Sequence, residues 1–464
     1  MNKTLEELVE LLLNKIPNYE KSDLLVFSIS LSNFEKQDIF FKDDDNALYR
    51  DSIEKHISKI SKKRYIKITD NEYLFFIKKT DTPIKTIEKR ILLALYSSIK
   101  IGNYSISIPY IIGSSRYPQD SKNINECIKF ARVSRLYLAE TSLKHYAKYE
   151  KNKYEDAYEE FIIKNTLISA IENNEIEIVF QPIFTNDKKS ILSFESLIRW
   201  EKNNNFINPL KIITIAEKTE SIHLLTEYVT DKVVSILDYW SKKYNSKIPI
   251  SINISQAALT NPKLPWKLNT ILEEYDLSSK LLKIEITETT TSRIFASIDY
   301  KQVTPSQISE ELITAGFDLY ADDFGIGFSN LEFLSSHKFS GIKIDKFFID
   351  KITEKRSKYF LSLIKKIFEF GIENNLKIIC EGIETKKQLN LLKKLSKDFY
   401  VQGYLFSKPI SQEEIEKNYF EWSSFNLSST SSSISDWSSW ILTTWYVSWL
   451  GCITTIFIPA IEIL

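Results

Sequence analysis

The sequence predicts an α/β protein in two unequal parts, a TIM-like (β/α)8 barrel in the C-terminal half preceded by a smaller α/β domain. Three observations carry that reading. Eight short runs rich in Ile, Leu, Val, Phe and Tyr follow one another up to Pro409, the composition of buried strands. Each run ends close to an acid, a carboxamide or a lysine, and most are separated by enough chain for a helix, which is the rhythm of an eight-stranded barrel. The 464 residues also exceed a single ordinary core. The expected layout is a small domain over 1–150, a linking helix over 151–174, the barrel over 175–412 and a Ser/Trp-rich tail over 413–464.

In the first 150 residues, strands are expected near Leu24 to Leu31, Tyr65 to Ile68, Tyr73 to Ile77 and Tyr104 to Ile112, with helical segments between them. A charged amphipathic stretch then leads into the barrel. Its runs are IVFQP, ILSFESLIRW, IPISINIS, LLKIEITET, FDLYADDFG, GIKIDKFFI, LKIICEGIET and VQGYLF. Their polar residues are Gln181, Glu195, Asn253, Glu285, Asp322 with Asp323, Lys343, Glu381 and Gln402.

Barrel enzymes carry their chemistry at the carboxyl ends of the strands. Several carboxylates gathered there would repel one another by kilocalories, and one or two divalent cations would relieve that. The four histidines lie on none of these strand ends and the three cysteines have no paired spacing, so zinc is not expected. Oxygen ligands suit Mg²⁺ or Mn²⁺, and a pair of such ions suits in-line attack on a phosphodiester. Taken singly, an acid at a strand end is more often a solvated residue or a helix cap. The ordered set is what points to chemistry.

Glu195-Ser196-Leu197, followed by Ile198-Arg199-Trp200, resembles the EAL signature. Phe180 to Ile183, Ile252 to Ser255, Glu285 to Thr289, Ala321 to Leu331, Ile342 to Ile349, Glu381 to Thr385 and Gln402 to Pro409 resemble the remaining EAL motifs in order. That family hydrolyses the bacterial second messenger cyclic di-GMP. The resemblance implies that Glu195, Asn253, Glu285 and Asp322 bind a first metal ion, with Asp322 and Asp323 serving a second. It implies that Lys343 holds the attacking water, that Glu381 ligates metal or acts as base, and that Gln402 bonds near the same water. Arg199 would take a phosphate of the ligand and Gln181 would read the substrate from the end of the first strand. Glu288 would anchor the loop at Asp322 to Leu331, whose Gly325 and Gly327 suggest unusual backbone angles. In the family that loop couples the metals to dimerisation, so a homodimer through the barrel is expected. Ser196 replaces alanine in the signature; it is close in size and points to the other face of its strand. The product expected is linear pGpG, and the alternative is a non-catalytic cyclic di-GMP receptor or scaffold.

The first domain is similar in element order to a GGDEF, diguanylate cyclase domain. Thr69-Asp70-Asn71-Glu72-Tyr73 stands where its signature hairpin belongs, and Ala131 to Glu140 resembles a helix near its end. Only Glu72 of that signature is kept. Thr69 and Asp70 replace the two glycines, and Ser30 and Ser32 replace the expected aspartates, so cyclase activity is not expected.

The formal net charge of zero argues against binding a DNA or RNA polymer. Few, unpaired cysteines suit a reducing cytoplasm. After Lys417 there is no Lys or Arg, and five of the eight tryptophans lie between Trp422 and Trp449. Residues 437–461 carry no charge and are long enough to cross a bilayer. That stretch is open to three readings: an inner-membrane anchor, an unstructured tail, or a change of coding frame.

Overall fold

A computed structural model describes residues 4–421 apart from 17, 32–42, 80–82, 96–97, 102–103, 109, 142–144, 203–204, 288–303, 325–337 and 355–356. The chain divides into two compact units, Met1–Thr166 and Leu167–Leu464.

The first unit is built on a five-stranded sheet. Strand β1 (Leu24–Leu31) lies at its centre, buried along its whole length, and pairs antiparallel with β3 (Glu72–Lys78) and β6 (Tyr110–Tyr117). Strand β2 (Tyr65–Lys67) extends the sheet beside β3, and β7 (Tyr146–Lys148) runs parallel to β6 at the far edge. Period-two alternation gives β1 two apolar faces. Leu25, Phe27 and Ile29 pack with Tyr49, Ile53, Ile57 and Leu95, while Leu24 and Val26 pack with Val9, Leu12 and Ile128. The run expected as one strand from Tyr104 to Ile112 is two. Tyr104–Ile106 (β5) forms a separate hairpin with Ile99–Ile101 (β4), and the ladder to β1 starts only at Tyr110. The intervening Pro109 brings no amide hydrogen to a ladder.

The second unit is a closed barrel of eight strands. In chain order these are β8 (Ile176–Thr185), β9 (Ile191–Lys202), β11 (Ile250–Ile254), β12 (Leu282–Thr287), β13 (Asp318–Phe324), β14 (Gly341–Ile344), β15 (Lys377–Cys380) and β16 (Tyr400–Val401), with β10 (Asn205–Ile207) a short antiparallel extension of β9. Strands β9 and β11 to β16 run parallel, but β8 is antiparallel to both β9 and β16. The cause is connection length. Residues 186–190 join β8 to β9, far too few for the crossover a parallel pair requires. The barrel therefore departs from a simple (β/α)8 repeat, and Gln181 lies in mid-strand opposite Glu195 instead of at a strand end.

Packing continues past residue 412. Phe180 and Ile410 exchange two backbone hydrogen bonds, of 2.8 and 2.9 Å. Glu416 accepts from Trp240 Nε1 (3.2 Å), the Tyr244 hydroxyl (2.8 Å), Gln412 Nε2 (2.8 Å) and Lys243 Nζ (3.2 Å). The ring of Phe420 closes on Trp240 and Tyr244, each 5.1 Å between centroids. The segment through Glu421 is thus fastened to the helix Ile222–Tyr244. No helix among the described residues is long and apolar enough to cross a membrane; residues 437–461 lie outside them.

One level below the polar residues of the barrel, the Tyr320 ring fills the space that a side chain on Gly341 would need. A Cβ there would meet Tyr320 Cε1 at 2.4 Å and the Lys377 carbonyl oxygen at 2.6 Å. Gly341→Ala is expected to cost about 1–3 kcal/mol by overpacking, read as a lower melting temperature in calorimetry. An unchanged melting temperature would mean that this layer can give way.

Candidate active site

Alternation along the strands fixes which residues share the barrel interior. Gln181 and Glu195 are register partners across β8 and β9, and Asn253 and Glu285 are partners across β11 and β12. Ser196, the next residue after Glu195, turns to the other face, where its hydroxyl donates to the Ser251 carbonyl at 2.7 Å. Asp322 and Asp323 are adjacent, and in a plain strand they would point apart. The ladder between β13 and β14 shifts register between Ala321 and Phe324, and Asp323 takes a left-handed backbone with φ of 53°. That irregularity lets both carboxylates approach Glu381, so that one oxygen from each of the three can lie within 4.8 Å of the others.

Lys343 on β14 stands at the centre, fully buried. Its Nζ is 2.6 Å from Glu285 Oε2, 2.6 Å from Glu381 Oε1, 3.1 Å from Glu195 Oε2 and 3.1 Å from Asp322 Oδ1. An ammonium has three hydrogens to offer four carboxylates. Accordingly Asp322 Oδ1 is buried without a well-directed hydrogen bond. Glu195 is held most firmly: Gln402 Nε2 donates to its Oε2 at 2.6 Å and Asn253 Nδ2 to its Oε1 at 3.0 Å. Gln402 also donates to Gln181 Oε1 at 3.1 Å, and Gln181 Nε2 donates to the Ser407 carbonyl at 3.0 Å.

The electrostatics follow from five acids facing one ammonium in a buried space. Burial opposes the charge of Lys343, but Asp322, Glu195, Glu285 and Glu381 together hold its pKa well above an ordinary lysine. Burial also pushes Glu195 upward, yet Lys343, Gln402 and Asn253 bring its carboxyl below the usual range. The remaining acids have no such support. Burial lifts Glu285 to about 8 against the pull of Lys343, with Glu195 and Asp322 adding to the rise. Burial, then Asp322 and Asp345, lift Asp323 to about 7. Glu381 is pushed well above the carboxylate range, chiefly by burial. The hard-oxygen donor set, the orphaned Asp322 oxygen and the excess of buried acids all fit a divalent cation at Asp322, Asp323 and Glu381.

Arg199 lies further along β9, half-buried. Its Nη1 donates to the Ile198 carbonyl at 2.8 Å, and its guanidinium stands 5.9 Å from the Phe206 ring centroid. It lines a cavity of about 150 Å³ together with Leu197, Pro209, Ile213, Leu225 and Asn253. Two neighbours are absent from the sequence-derived set. Asp345 caps the helix Lys346–Lys351, accepting from the Phe347 amide at 2.6 Å, and lies against Asp323. Its position two residues after Lys343 was the available signal, but an acid there reads equally as a helix cap. Phe206 comes beside Arg199 through the antiparallel pairing of β10 with β9. Glu288, Gly325 and Gly327 lie outside the described residues.

In the first unit Glu72 has a different setting. Arg132 donates to it through Nε at 2.7 Å and Nη2 at 3.1 Å, and Arg135 Nη2 approaches at 3.0 Å while its Nε donates to Ser28 at 3.0 Å. The carboxylate is already matched by two guanidinium groups.

Residues 164–409 match the family model described as the EAL domain. The probable cyclic di-GMP phosphodiesterase PdeB of Escherichia coli K12 is 32% identical over 249 residues, covering 53% of this chain and 45% of PdeB. MucR of Pseudomonas aeruginosa, described as a bifunctional diguanylate cyclase/cyclic di-GMP phosphodiesterase, is 26% identical over 331 residues, covering 71% of this chain and 47% of MucR. The chain thus spans less than half the length of these two curated relatives. Among solved structures, the cAMP-bound form of the EAL enzyme Bd1971 aligns with a TM-score of 0.51 at 19% identity, over 85% of this chain and 94% of that one. At that identity the likeness is one of fold.

The raised acids make the metal-free fold sensitive to alkali. In the unfolded chain Glu285 and Asp323 release their protons near pH 4, whereas in the fold they keep them to about 8 and about 7. The fold binds more protons between those limits, so its stability falls as pH rises from about 4 to 8. Thermal melts in EDTA are expected to show that fall, and Mg²⁺ is expected to raise the melting temperature more at pH 8 than at pH 5. A magnesium shift that does not vary with pH would place the bound ion elsewhere.

Proposed function

The chain belongs to the EAL domain family, whose model spans residues 164–409, and on that premise we propose that it is a metal-dependent phosphodiesterase that converts cyclic di-GMP to linear pGpG. The observation that carries the reading is the convergence of Glu195, Glu285, Asp322 and Glu381 on the single buried ammonium of Lys343. Glu195, Asn253, Glu285 and Asp322 hold a first Mg²⁺ or Mn²⁺ ion in this reading, and Asp322 and Asp323 hold a second. Glu381 joins them as a ligand, in keeping with its place beside both aspartates. Bound ions supply an acidified water as nucleophile and offset the charge that builds on the phosphoryl oxygens.

The remaining roles follow from the side chains. Lys343 keeps its proton and so serves as a hydrogen-bond donor to the attacking water, not as a base. Gln402 fixes the orientation of Glu195 and is itself set by Gln181, whose own amide is tied to Ser407. Arg199, with its planar fork half-buried beside Phe206, is suited to a phosphate of the dinucleotide, and the adjoining apolar cavity offers room beside it. In the first unit, Glu72 paired with two arginines and the lack of hairpin glycines support a degenerate GGDEF-like domain without cyclase activity.

The full-length protein with Mg²⁺ or Mn²⁺ is expected to convert cyclic di-GMP to pGpG, and EDTA is expected to stop it. Glu195→Ala should lower turnover at least about 10²–10³-fold, as expected for loss of a group that stabilises the transition state. Gln402→Ala, which removes an outer support of Glu195, should cost about 10–100-fold. Tight binding of cyclic di-GMP without turnover in either metal would overturn the enzyme reading in favour of a receptor.

A further inference from the structure

The amino-terminal end of the barrel holds a buried positive charge that the metal site does not use. Lys283, Asp318 and Lys377 stand at or beside the starts of β12, β13 and β15, at the end opposite Asp322, Asp323 and Glu381. Lys283 is 3% exposed, and among the described residues no group accepts a hydrogen bond from its Nζ. That Nζ lies 5.1 Å from the ring centroid of Tyr320, whose hydroxyl is likewise buried without a hydrogen-bond partner among the described residues. The ring face attracts the ammonium but leaves its charge unpaired. Nor do the neighbouring charges pair it. Lys377 repels Lys283, while Glu285 and Asp318 attract it. Glu285 Oε2 is already engaged by Lys343 at 2.6 Å, and Asp318 Oδ1 accepts from Lys280 Nζ at 2.7 Å and from the Ser340 hydroxyl at 3.5 Å. A buried ammonium with three hydrogens and no acceptor is costly.

We propose that Lys283 Nζ and the Tyr320 hydroxyl bind a small inorganic anion, a single halide ion, inside the foot of the barrel. Both groups have hydrogens to donate, which suits an anion and not a second cation. A water molecule would accept a hydrogen bond but would leave the charge of Lys283 unbalanced beside Lys377. Packing sets the size of the occupant. Tyr320 forms one buried cluster with Ile183 and Ile379, and its ring fills the space beside Gly341. Such an apolar surround suits a monatomic ion and not the four oxygens of sulfate or phosphate, each of which would need a donor. At this face of a barrel a bound ion serves stability, not chemistry. Nothing in the site depends on the phosphodiesterase reading.

The test is the melting temperature of the full-length protein at pH 7 in EDTA, as sodium gluconate is exchanged for sodium chloride at constant ionic strength. A rise with the logarithm of chloride concentration is expected, as for any ligand that binds only the fold, and bromide should act like chloride. Lys283→Met, which keeps the length of the side chain without its charge, should abolish the rise. Tyr320→Phe, which removes one donor, should move it to higher chloride. Crystals grown in bromide should show anomalous scattering from an ion within hydrogen-bond distance of Lys283 Nζ. Equal melting in the two salts, a rise that survives Lys283→Met, or a water at that position in bromide would each overturn the proposal. Should Lys283→Met fail to fold, an unshifted chloride dependence in Tyr320→Phe would overturn it instead.

Discussion

The barrel depends on one buried ammonium. Lys343 reaches four carboxylates from four other strands or their ends, all at 3.1 Å or less, in a space from which water is largely excluded. Carboxylates taken out of water without a counterion would be strongly destabilising, and here the counterion comes from the strand that completes the ring between β13 and β15. A single positive charge cannot balance five acids. The cluster therefore settles with Glu195 ionised and well bonded while Glu285, Asp323 and Glu381 hold protons far above their usual range. The same imbalance that burdens the fold makes the site receptive to dications, which links stability and chemistry through one set of residues.

The geometry of that cluster rests on two irregularities of the barrel. The antiparallel β8 sets Gln181 beside Glu195, so a carboxamide pair can hold the first acid from the side opposite Asn253. The disturbed ladder after Ala321 turns Asp322 and Asp323 toward a common point. Both departures from a regular repeat occur where the donor set is assembled, a place where local regularity is commonly given up for function. The barrel is then sealed outside by aromatic packing, with Trp240 lying between Phe180, Phe194 and Phe420.

The first unit shows how an acid of similar sequence context can have a purely structural setting. Glu72 is buried like Glu285, but it faces two guanidinium groups and Ser28 where Glu285 faces other acids. What an acid can do is set by the charges around it, not by its place in a motif.

Much of this was legible in the chain. Short apolar runs of strand-forming composition located the barrel strands, because burial on both faces leaves a near-continuous hydrophobic record. The residues Glu195, Asn253, Glu285, Asp322, Lys343, Glu381 and Gln402 were also legible, since each falls within or just after such a run and the residue types define a hard-oxygen site. The direction of β8 was within reach, because five residues cannot span a crossover, yet the apolar run itself is the same in either direction. Which acids are ionised, which carboxylate oxygen lacks a bond, how Asp345 reaches Asp323 and how Phe206 reaches Arg199 were not legible. Those depend on distances between residues remote in sequence, and such distances exist only once the sheet has closed and brought its strands around a common axis.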